Sequence, residues 1–231
     1  MNLAEARALV TGGSSGIGLA IAATIIQRGG SVVICGRDEA KLRRAADSIG
    51  AEPVVADVSD ESAVRRLVRQ VIERFADYNV LVNNAGFGSR APLVETTQAD
   101  FRSVWETNVL GAMLVARESA RHFIERDYGN IVNVASTSAQ RGGANGTSYV
   151  ATKFALGGMT ECWRAELRPH NIRVMQINPS EVQTEFFGGA RGRNNPTKLH
   201  SEDIAHVVCS MLELEDRGFV TEATVWATNP K

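Results

Sequence analysis

Short apolar runs alternate along this chain with longer segments in which apolar residues recur every three or four positions. The short runs predict buried β-strands, and the periodic segments predict amphipathic helices. Seven strands are expected, at residues 8–11, 31–35, 53–58, 80–82, 130–135, 173–177 and 219–227. Helices are expected after residue 16 and at 38–49, 61–75, 98–126, 149–167 and 201–214.

The strands are apolar throughout rather than on one side only, which is typical of a parallel sheet with helices on both faces. The pattern therefore predicts an α/β fold with a doubly wound, seven-stranded parallel sheet. No linker, internal repeat or low-complexity tract divides the 231 residues, so we expect a single domain, residues 1–231.

Polar or glycine residues follow six of the predicted strands. The carboxyl ends of parallel strands meet at one edge of an open sheet, where such folds bind ligands. The sequence thus predicts one continuous ligand site along this edge. The six residues are Gly12, Gly36, Asp57, Asn83, Ser136 and Asn178.

The segment TGGSSGIG, residues 11–18, is expected to turn from the first strand into a helix. Gly12 permits a tight turn, Gly16 lets a diphosphate approach the backbone, and Gly18 lets the helix lie close to the sheet. The spacing departs from the commoner G-x-G-x-x-G, so an ordinary Gly/Ser loop is the alternative. The flanking strand, helix and second strand form a βαβ unit and favour a nucleotide site.

Residues after the second and third strands indicate the type of nucleotide. A site for NAD usually carries an acidic residue about 20 positions after the glycines, but this chain has Gly36 there, followed by Arg37. A guanidinium binds a 2′-phosphate, so NADP is favoured over NAD. Asp57 is placed to accept a hydrogen bond from the adenine amino group. Solvated turn residues are the alternative for both side chains.

Tyr149 and Lys153 lie one helical turn apart on the same face. An ammonium about 4 Å from a phenol contributes roughly 4 kcal/mol at an effective dielectric near 20, or about 3 pKa units at most. The tyrosine can then exchange a proton with a carbonyl or alcohol oxygen. A lysine covering a half-buried tyrosine is the alternative. Ser136 ends a strand 13 residues earlier and is placed to hold the substrate oxygen.

Asn108 falls on the apolar face of the helix expected at residues 98–126. An amide is costly there unless it is hydrogen-bonded. From the residues alone, a satisfied core asparagine is the simpler interpretation.

Together these motifs resemble the short-chain dehydrogenase/reductase family in order and spacing over nearly the whole chain: residues 11–18, Asn83–Gly86, Asn108, Ser136 and Tyr149-x3-Lys153. The resemblance implies a Rossmann fold and a catalytic tetrad. In it Tyr149 is the acid/base, Ser136 orients the carbonyl, Lys153 lowers the tyrosine pKa and holds the nicotinamide ribose, and Asn108 anchors a proton-relay water.

The resemblance also implies the residues that contact the cofactor and a substrate lid at about residues 184–200. Two departures stand out: Pro179-Ser180 replaces the usual Pro-Gly, and Ser15 stands where many NADP-using members have a basic residue. The implied cofactor contacts are Gly12, Ser14, Ser15, Gly16, Ile17, Gly18, Arg37, Asp57, Val58, Asn84, Ala85, Gly86, Tyr149, Lys153, Pro179, Ser180, Val182 and Thr184.

Composition narrows the class of protein further. A net charge of −1 does not indicate the basic surface that nucleic-acid-binding proteins carry. No apolar run is long enough to span a bilayer. Three widely spaced cysteines favour a reducing cytoplasm. The four histidines show no metal-ligand spacing, so no metal is expected.

We therefore expect an NADP(H)-dependent oxidoreductase that transfers a hydride between nicotinamide and a carbonyl or secondary alcohol. The chain is most similar to 3-oxoacyl-(acyl-carrier-protein) reductases, so a carrier-bound acyl thioester is one expected substrate. The alternatives are a dehydrogenase of small 3-hydroxy acids or sugar alcohols and a non-catalytic NADP-binding regulator. The family resemblance predicts a homotetramer or homodimer.

Overall fold

A computed structural model of the chain describes residues 1–184, 186 and 197–229. Seven strands form one sheet in the order β3-β2-β1-β4-β5-β6-β7, and every neighbouring pair is parallel. The predicted doubly wound α/β fold is thereby confirmed. The strands are β1 Arg7–Thr11, β2 Ser31–Gly36, β3 Glu52–Val55, β4 Val80–Asn83, β5 Gly129–Val134, β6 Ile172–Pro179 and β7 Glu222–Val225.

Helices connect the strands, and three of them begin where a polar side chain accepts a hydrogen bond from the first turn. Asp38, Asp60 and Thr97 are these N-caps, and they precede α2, α3 and α4. In the described residues the α-helices are α1 Gly16–Gln27, α2 Glu39–Ile49, α3 Glu61–Arg74, α4 Gln98–Trp105, α5 Ala112–Glu125, α6 Thr147–Leu167 and α7 Ser201–Glu213.

Successive strand residues point to opposite faces of the sheet, and helices cover and bury both faces. One face packs against α1, α2 and α7, and the other packs against α3 and α5. On the first face lie Val10, Ile34, Val82 and Val132 with Ile21, Ile25, Leu42 and Val208. On the second lie Leu9, Val33, Leu81 and Ile131 with Val64, Leu67, Leu114 and Val115.

The strand order reverses beside β1, because β2 and β3 lie on one side of it and β4 to β7 on the other. Such a switch point opens a crevice between the loops that leave the neighbouring strands. The loops after β1 and β4 border this crevice, and they carry the glycine segment and Asn84–Gly86.

Some strands end at residues other than those predicted, because pairing with a neighbouring strand determines their length. β3 ends at Val55 rather than residue 58, because its partner β2 ends at Gly36, the residue paired with Val55. Gly36 and Asn83 are therefore the last residues of their strands rather than the first residues after them. Pairing with β7 likewise extends β6 through Asn178 and Pro179.

The helix expected at residues 98–126 is interrupted. A π-helical segment, Glu106–Gly111, separates α4 from α5, and Asn108 lies within it. Short π segments inside helices are frequent at functional sites.

Within the described residues, no helix is both long and apolar enough to cross a membrane.

Candidate active site

The glycine segment turns sharply between β1 and α1. Gly12 and Gly16 have φ of +64° and +56°, a left-handed conformation that favours glycine. A Cβ on Gly18 would lie 2.6 Å from the carbonyl oxygen of Gly12, so the start of α1 lies against the end of β1. Ser15 precedes α1 without capping its N–H groups by a side-chain hydrogen bond. The backbone N–H groups in the first turn of α1 are therefore suited to bind an anion.

Hydrogen bonds join the glycine segment to the loop after β4. The Thr11 hydroxyl oxygen accepts from the backbone N–H groups of Asn84 and Ala85, at 3.0 and 2.9 Å. The Asn84 amide donates to the carbonyl oxygens of Thr11 and Gly12, at 2.9 and 3.1 Å. Two of the predicted cofactor-contact segments are thus fixed to each other on either side of the switch point.

Arg37 and Asp57 face each other beyond β2 and β3. The guanidinium Nη1 lies 3.9 Å from the Asp57 carboxylate, and the Arg37 side chain is 65% exposed. Asp57 also accepts hydrogen bonds from the backbone N–H and hydroxyl of Ser59. Asp57 therefore lies in an ordered turn beside an accessible arginine.

Val58 is buried, and its side chain packs against the π segment. A Cβ on Gly111 would lie 2.7 Å from Val58 Cγ2. Any contact of Val58 with a cofactor would therefore come from its backbone.

Asn108 is buried, and its amide is hydrogen-bonded on both sides. Oδ1 accepts from the N–H of Phe87 at 3.0 Å, and Nδ2 donates to the Phe87 carbonyl at 2.9 Å and to the Thr152 hydroxyl at 3.1 Å. A Cβ on Gly86 would lie 2.9 Å from Asn108 Oδ1. The side chain thus joins the loop after β4 to α6, as a satisfied core asparagine does.

Ser136 and Tyr149 meet at the end of β5. Ser136 caps a short 3-10 helix, where its hydroxyl accepts from the N–H of Ser138 at 3.0 Å. The Ser136 side chain also hydrogen-bonds the Tyr149 hydroxyl. Burial raises the pKa of Tyr149, while this hydrogen bond and the positive charge of Arg90 oppose that rise.

Lys153 is buried one turn after Tyr149. Its ammonium donates to the Val134 carbonyl at 2.9 Å and lies 5.7 Å from the centre of the Tyr149 ring. Burial lowers the pKa of Lys153 to about 8. In the protein alone, the expected lowering of the tyrosine pKa is not observed, because burial disfavours the phenolate and the ammonium is bound to a backbone carbonyl.

The chain after β6 passes over this site. Ser180 is bound to β7 and the residues after it: its N–H donates to the Val225 carbonyl at 2.9 Å, and its hydroxyl accepts from the N–H of Ala227 at 3.2 Å. Pro179 pairs with Val225 inside the sheet. Val182 forms an isolated parallel β-bridge with Leu199.

Thr184 approaches the glycine segment, since a Cβ on Gly16 would lie 3.2 Å from Thr184 Cγ2. The ring of Phe186 stands edge-on to Tyr149, with 5.6 Å between ring centres. Residues 185 and 187–196, most of the predicted lid, lie outside the described residues.

The structure thus brings Ser136, Tyr149 and Lys153 together at the carboxyl edge of the sheet, with Asn108 linked to them through Thr152. Sequence reasoning missed Thr152, which stands inside the Y-x-x-x-K motif. Its hydroxyl and its position one residue before Lys153 were the available signal. No group of three side chains suited to a metal occurs in the part of the chain that is described.

The fold defines a Rossmann-type α/β protein. Residues 6–195 match the family described as short chain dehydrogenase. The chain belongs to that family and is an oxidoreductase.

Two curated relatives act on sugars or sugar acids by name. L-fucose dehydrogenase from Mus musculus is 35% identical over 78% of this chain and 66% of that protein. Gluconate 5-dehydrogenase from Gluconobacter oxydans is 34% identical over 80% of this chain and 74% of that protein.

Solved structures of similar proteins cover nearly the whole chain. An alcohol dehydrogenase from Thermococcus sibiricus, complexed with 5-hydroxy-NADP, is 28% identical with a TM-score of 0.90, covering 97% of this chain and 98% of that one. A metagenomic short-chain oxidoreductase in complex with NADP is 30% identical with a TM-score of 0.87, covering 99% and 100%. A candidate betaketoacyl-ACP reductase is 32% identical with a TM-score of 0.82, covering 95% of both chains.

Proposed function

We propose that this protein is an NADP(H)-dependent oxidoreductase that interconverts a carbonyl and a secondary alcohol on a small molecule. The observation that carries the proposal is the hydrogen bond between Ser136 and Tyr149, with buried Lys153 one turn away. This cluster lies at the same sheet edge as the glycine segment.

Several features support NADP as the cofactor. The left-handed glycines and the uncapped start of α1 suit a diphosphate. Arg37 is exposed where it can bind a 2′-phosphate, and Gly36 brings no carboxylate to repel one. The similar structures that contain NADP or 5-hydroxy-NADP agree with this choice.

Bound NADPH supplies the hydride for reduction, and bound NADP⁺ accepts one in the reverse direction. Tyr149 donates the proton to the carbonyl oxygen, and Ser136 holds that oxygen by a hydrogen bond. The raised pKa of Tyr149 keeps the phenol protonated before reaction, as an acid requires. Lys153 would hold the nicotinamide ribose when the cofactor is bound, and it returns a proton to Tyr149. Because both Nδ2 protons of Asn108 are already donated, the oxygen atoms of this residue are what anchors the water that carries the proton.

Two substrate classes are distinguished by direct assay. Acyl thioesters are supported by the similarity to a candidate betaketoacyl-ACP reductase, and sugars or hydroxy acids by the fucose and gluconate dehydrogenases. The assay follows oxidation of NADPH and of NADH with the N-acetylcysteamine thioester of acetoacetate, 5-ketogluconate, diacetyl and simple ketones. Turnover of any carbonyl with NADPH preferred supports the proposal, and oxidation of neither cofactor across the panel contradicts it.

We also propose a homo-oligomer assembled through the helices of residues 98–125 and α6. Trp105, Leu110 and Phe154 are 39%, 37% and 47% exposed on these helices, which is consistent with a buried partner surface. A monomer at micromolar concentration by light scattering would contradict this assignment. The three free cysteines fit a reducing compartment, and we propose the cytoplasm.

A further inference from the structure

Ser136 begins a short loop after β5 that is hydrogen-bonded within itself. The carbonyl of Ser136 accepts from the N–H of Ala139 at 2.8 Å, and the N–H of Gln140 donates to the carbonyl of Thr137 at 3.1 Å. Residues 136–140 therefore form one unit, which we call the serine loop. A displacement of Gln140 moves Ser136 with it.

The side-chain amide of Gln140 attaches the serine loop to β7. Its Nε2 donates to Oε1 of Glu222 at 2.8 Å and to the hydroxyl oxygen of Thr224 at 3.0 Å. These two partners lie two residues apart in β7, so their side chains are on the same face of the strand. Gln140 thus connects the loop of the candidate catalytic serine to the edge strand of the sheet.

Glu222 is itself held by side chains of the neighbouring strand. Its Oε1 accepts a hydrogen bond from Nδ2 of Asn178, a completely buried residue of β6. Oδ1 of Asn178 accepts in turn from Nε2 of Gln176 at 2.9 Å. The carboxylate is therefore fixed from inside the sheet, and it offers Gln140 an acceptor at a defined place.

Apolar packing supports the serine loop only in part. Ala139 packs against the small apolar cluster that includes Leu156 of α6. Ala139 and Gln140 also border a cavity of about 300 Å³, which Gln176 and Glu222 line as well. Because a cavity supplies no packing contacts, the position of the loop relative to β7 depends on the hydrogen bonds of Gln140.

We propose that Gln140 and Glu222 are a positioning pair, which holds the serine loop so that the Ser136 hydroxyl stays within hydrogen-bonding distance of Tyr149 and of the substrate oxygen. The inference rests on the proposed oxidoreductase function. Both members of the pair act through the serine loop and not on the substrate. A carboxylate acceptor makes the hydrogen bond from Gln140 stronger than one between neutral groups, so β7 can restrict the movement of the serine.

The first test replaces the donor by a second acceptor. Gln140→Glu places a carboxylate opposite Glu222, so the hydrogen bond is lost and the two charges repel each other. We expect kcat for carbonyl reduction to fall about 10-fold, since a hydrogen bond to a charged group contributes that order of effect. The dissociation constant for NADPH should change little, because the segments proposed to bind its phosphates follow β1 and β2. A Gln140→Glu variant with the kcat of the wild type would overturn the pair.

The second test exchanges donor and acceptor. Glu222→Gln alone should retain most of kcat, because its amide oxygen still accepts from Asn178 and Gln140. The double variant Gln140→Glu/Glu222→Gln again has a donor opposite an acceptor, and its kcat should recover to that of Glu222→Gln. A general loss of stability would not be repaired by a second substitution of this kind. A double variant no more active than Gln140→Glu would therefore overturn the pair.

Arg164→Met is the control for a general loosening of β7. The Arg164 guanidinium donates to the carbonyl of Thr221, the residue before β7, at 2.9 Å and to the carbonyl of Val174 in β6 at 3.0 Å. Neither bond involves the serine loop. The variant should unfold at lower urea concentration and keep nearly the wild-type kcat. A fall in kcat equal to that of Gln140→Glu would show that turnover follows the docking of β7 in general, and would overturn the pair.

Hydrogen exchange tests the pair without an activity assay. The amide hydrogen of Ala139, which is donated to Ser136, should exchange faster in Gln140→Glu than in the wild type and return to the slower rate in the double variant. Equal exchange in all proteins overturns the pair and leaves the oxidoreductase function standing. Failure of the wild type to oxidise NADPH with every carbonyl overturns the proposed function, and the exchange rates then decide whether the pair holds the serine loop.

Discussion

The amide of Asn108 donates a hydrogen bond to the hydroxyl of Thr152, with 3.1 Å between Nδ2 and Oγ1. The same hydroxyl donates to the carbonyl of Tyr149 at 2.7 Å. Thr152 thus connects the π segment to the first turn of α6. Because it is completely buried, no solvent replaces these bonds when its hydroxyl is removed.

Thr152→Val should lower both stability and turnover. Valine keeps the shape but leaves a buried amide proton of Asn108 without its acceptor, which costs about 1–3 kcal/mol in unfolding free energy. We expect kcat to fall more than KM rises, because Tyr149 is displaced relative to Asn108. Chemical denaturation and steady-state kinetics measure both effects, and Thr152→Ser should restore them. A valine variant with wild-type kcat would show that Thr152 is not a positioning residue.

Tyr149→Phe should retain NADPH binding and lose most turnover. The ring remains to pack against Phe186, but the proton donor is gone, and general acid catalysis contributes about 10²- to 10⁴-fold. Fluorescence titration with NADPH and kcat for the best carbonyl in the panel measure the two properties.

The control for this variant is Tyr128→Phe. Its hydroxyl hydrogen-bonds Asp216 at 3.4 Å, next to the start of β5 and at the opposite edge of the sheet. Turnover should be unchanged in this control. If Tyr149→Phe also turns over at the wild-type rate, the tyrosine is not the acid.

Gly36→Asp should shift the cofactor preference from NADPH toward NADH. A Cβ at this position would lie 3.5 Å from Leu42 and 3.6 Å from Ser14, ordinary contacts that leave room for a side chain. The added carboxylate repels a 2′-phosphate and accepts hydrogen bonds from a ribose hydroxyl. We expect the NADPH-to-NADH ratio of kcat/KM to fall about 10- to 100-fold.

Gly36→Ala controls for bulk, and Arg37→Met tests the cation separately. The alanine variant should keep the wild-type ratio, and the methionine variant should lose NADPH preference without gaining NADH activity. A ratio that none of these substitutions alters would place the 2′-phosphate elsewhere.

The buried ammonium of Lys153 should make stability rise with pH above about 8. Burial lowers its pKa to about 8 from an ordinary 10.5, so between these values the unfolded chain binds more protons than the folded one. The unfolding free energy then increases by up to about 1.4 kcal/mol per pH unit in this window. Below pH 8 both states are protonated, and the destabilisation is fully present.

The measurement compares wild type with Lys153→Met by urea denaturation at pH values from 7 to about 10. The stability of the wild type relative to the variant should increase across that range. Other groups titrate here too, including Cys35, whose pKa burial raises to about 12, but they are common to both proteins. A difference that stays constant with pH would contradict a depressed lysine pKa.

Local sequence patterns were sufficient to predict the class of fold. Hydrophobic periodicity is local, and here it separated strands from helices along the whole chain, so the parallel sheet followed from their alternation. The glycine segment could also be predicted from the sequence. Left-handed φ angles at Gly12 and Gly16, and the close approach of Gly18 to the backbone of Gly12, restrict these positions to glycine.

The residues at which individual strands and helices end depend on contacts between distant segments of the chain. β3 ends at Val55 because its neighbour ends, and the helix from residue 98 adopts a π segment around Asn108, whose partners Phe87 and Thr152 lie 21 and 44 residues away. These features depend on strand pairing and hydrogen bonds between residues far apart in sequence. Local sequence patterns contain no information on such contacts.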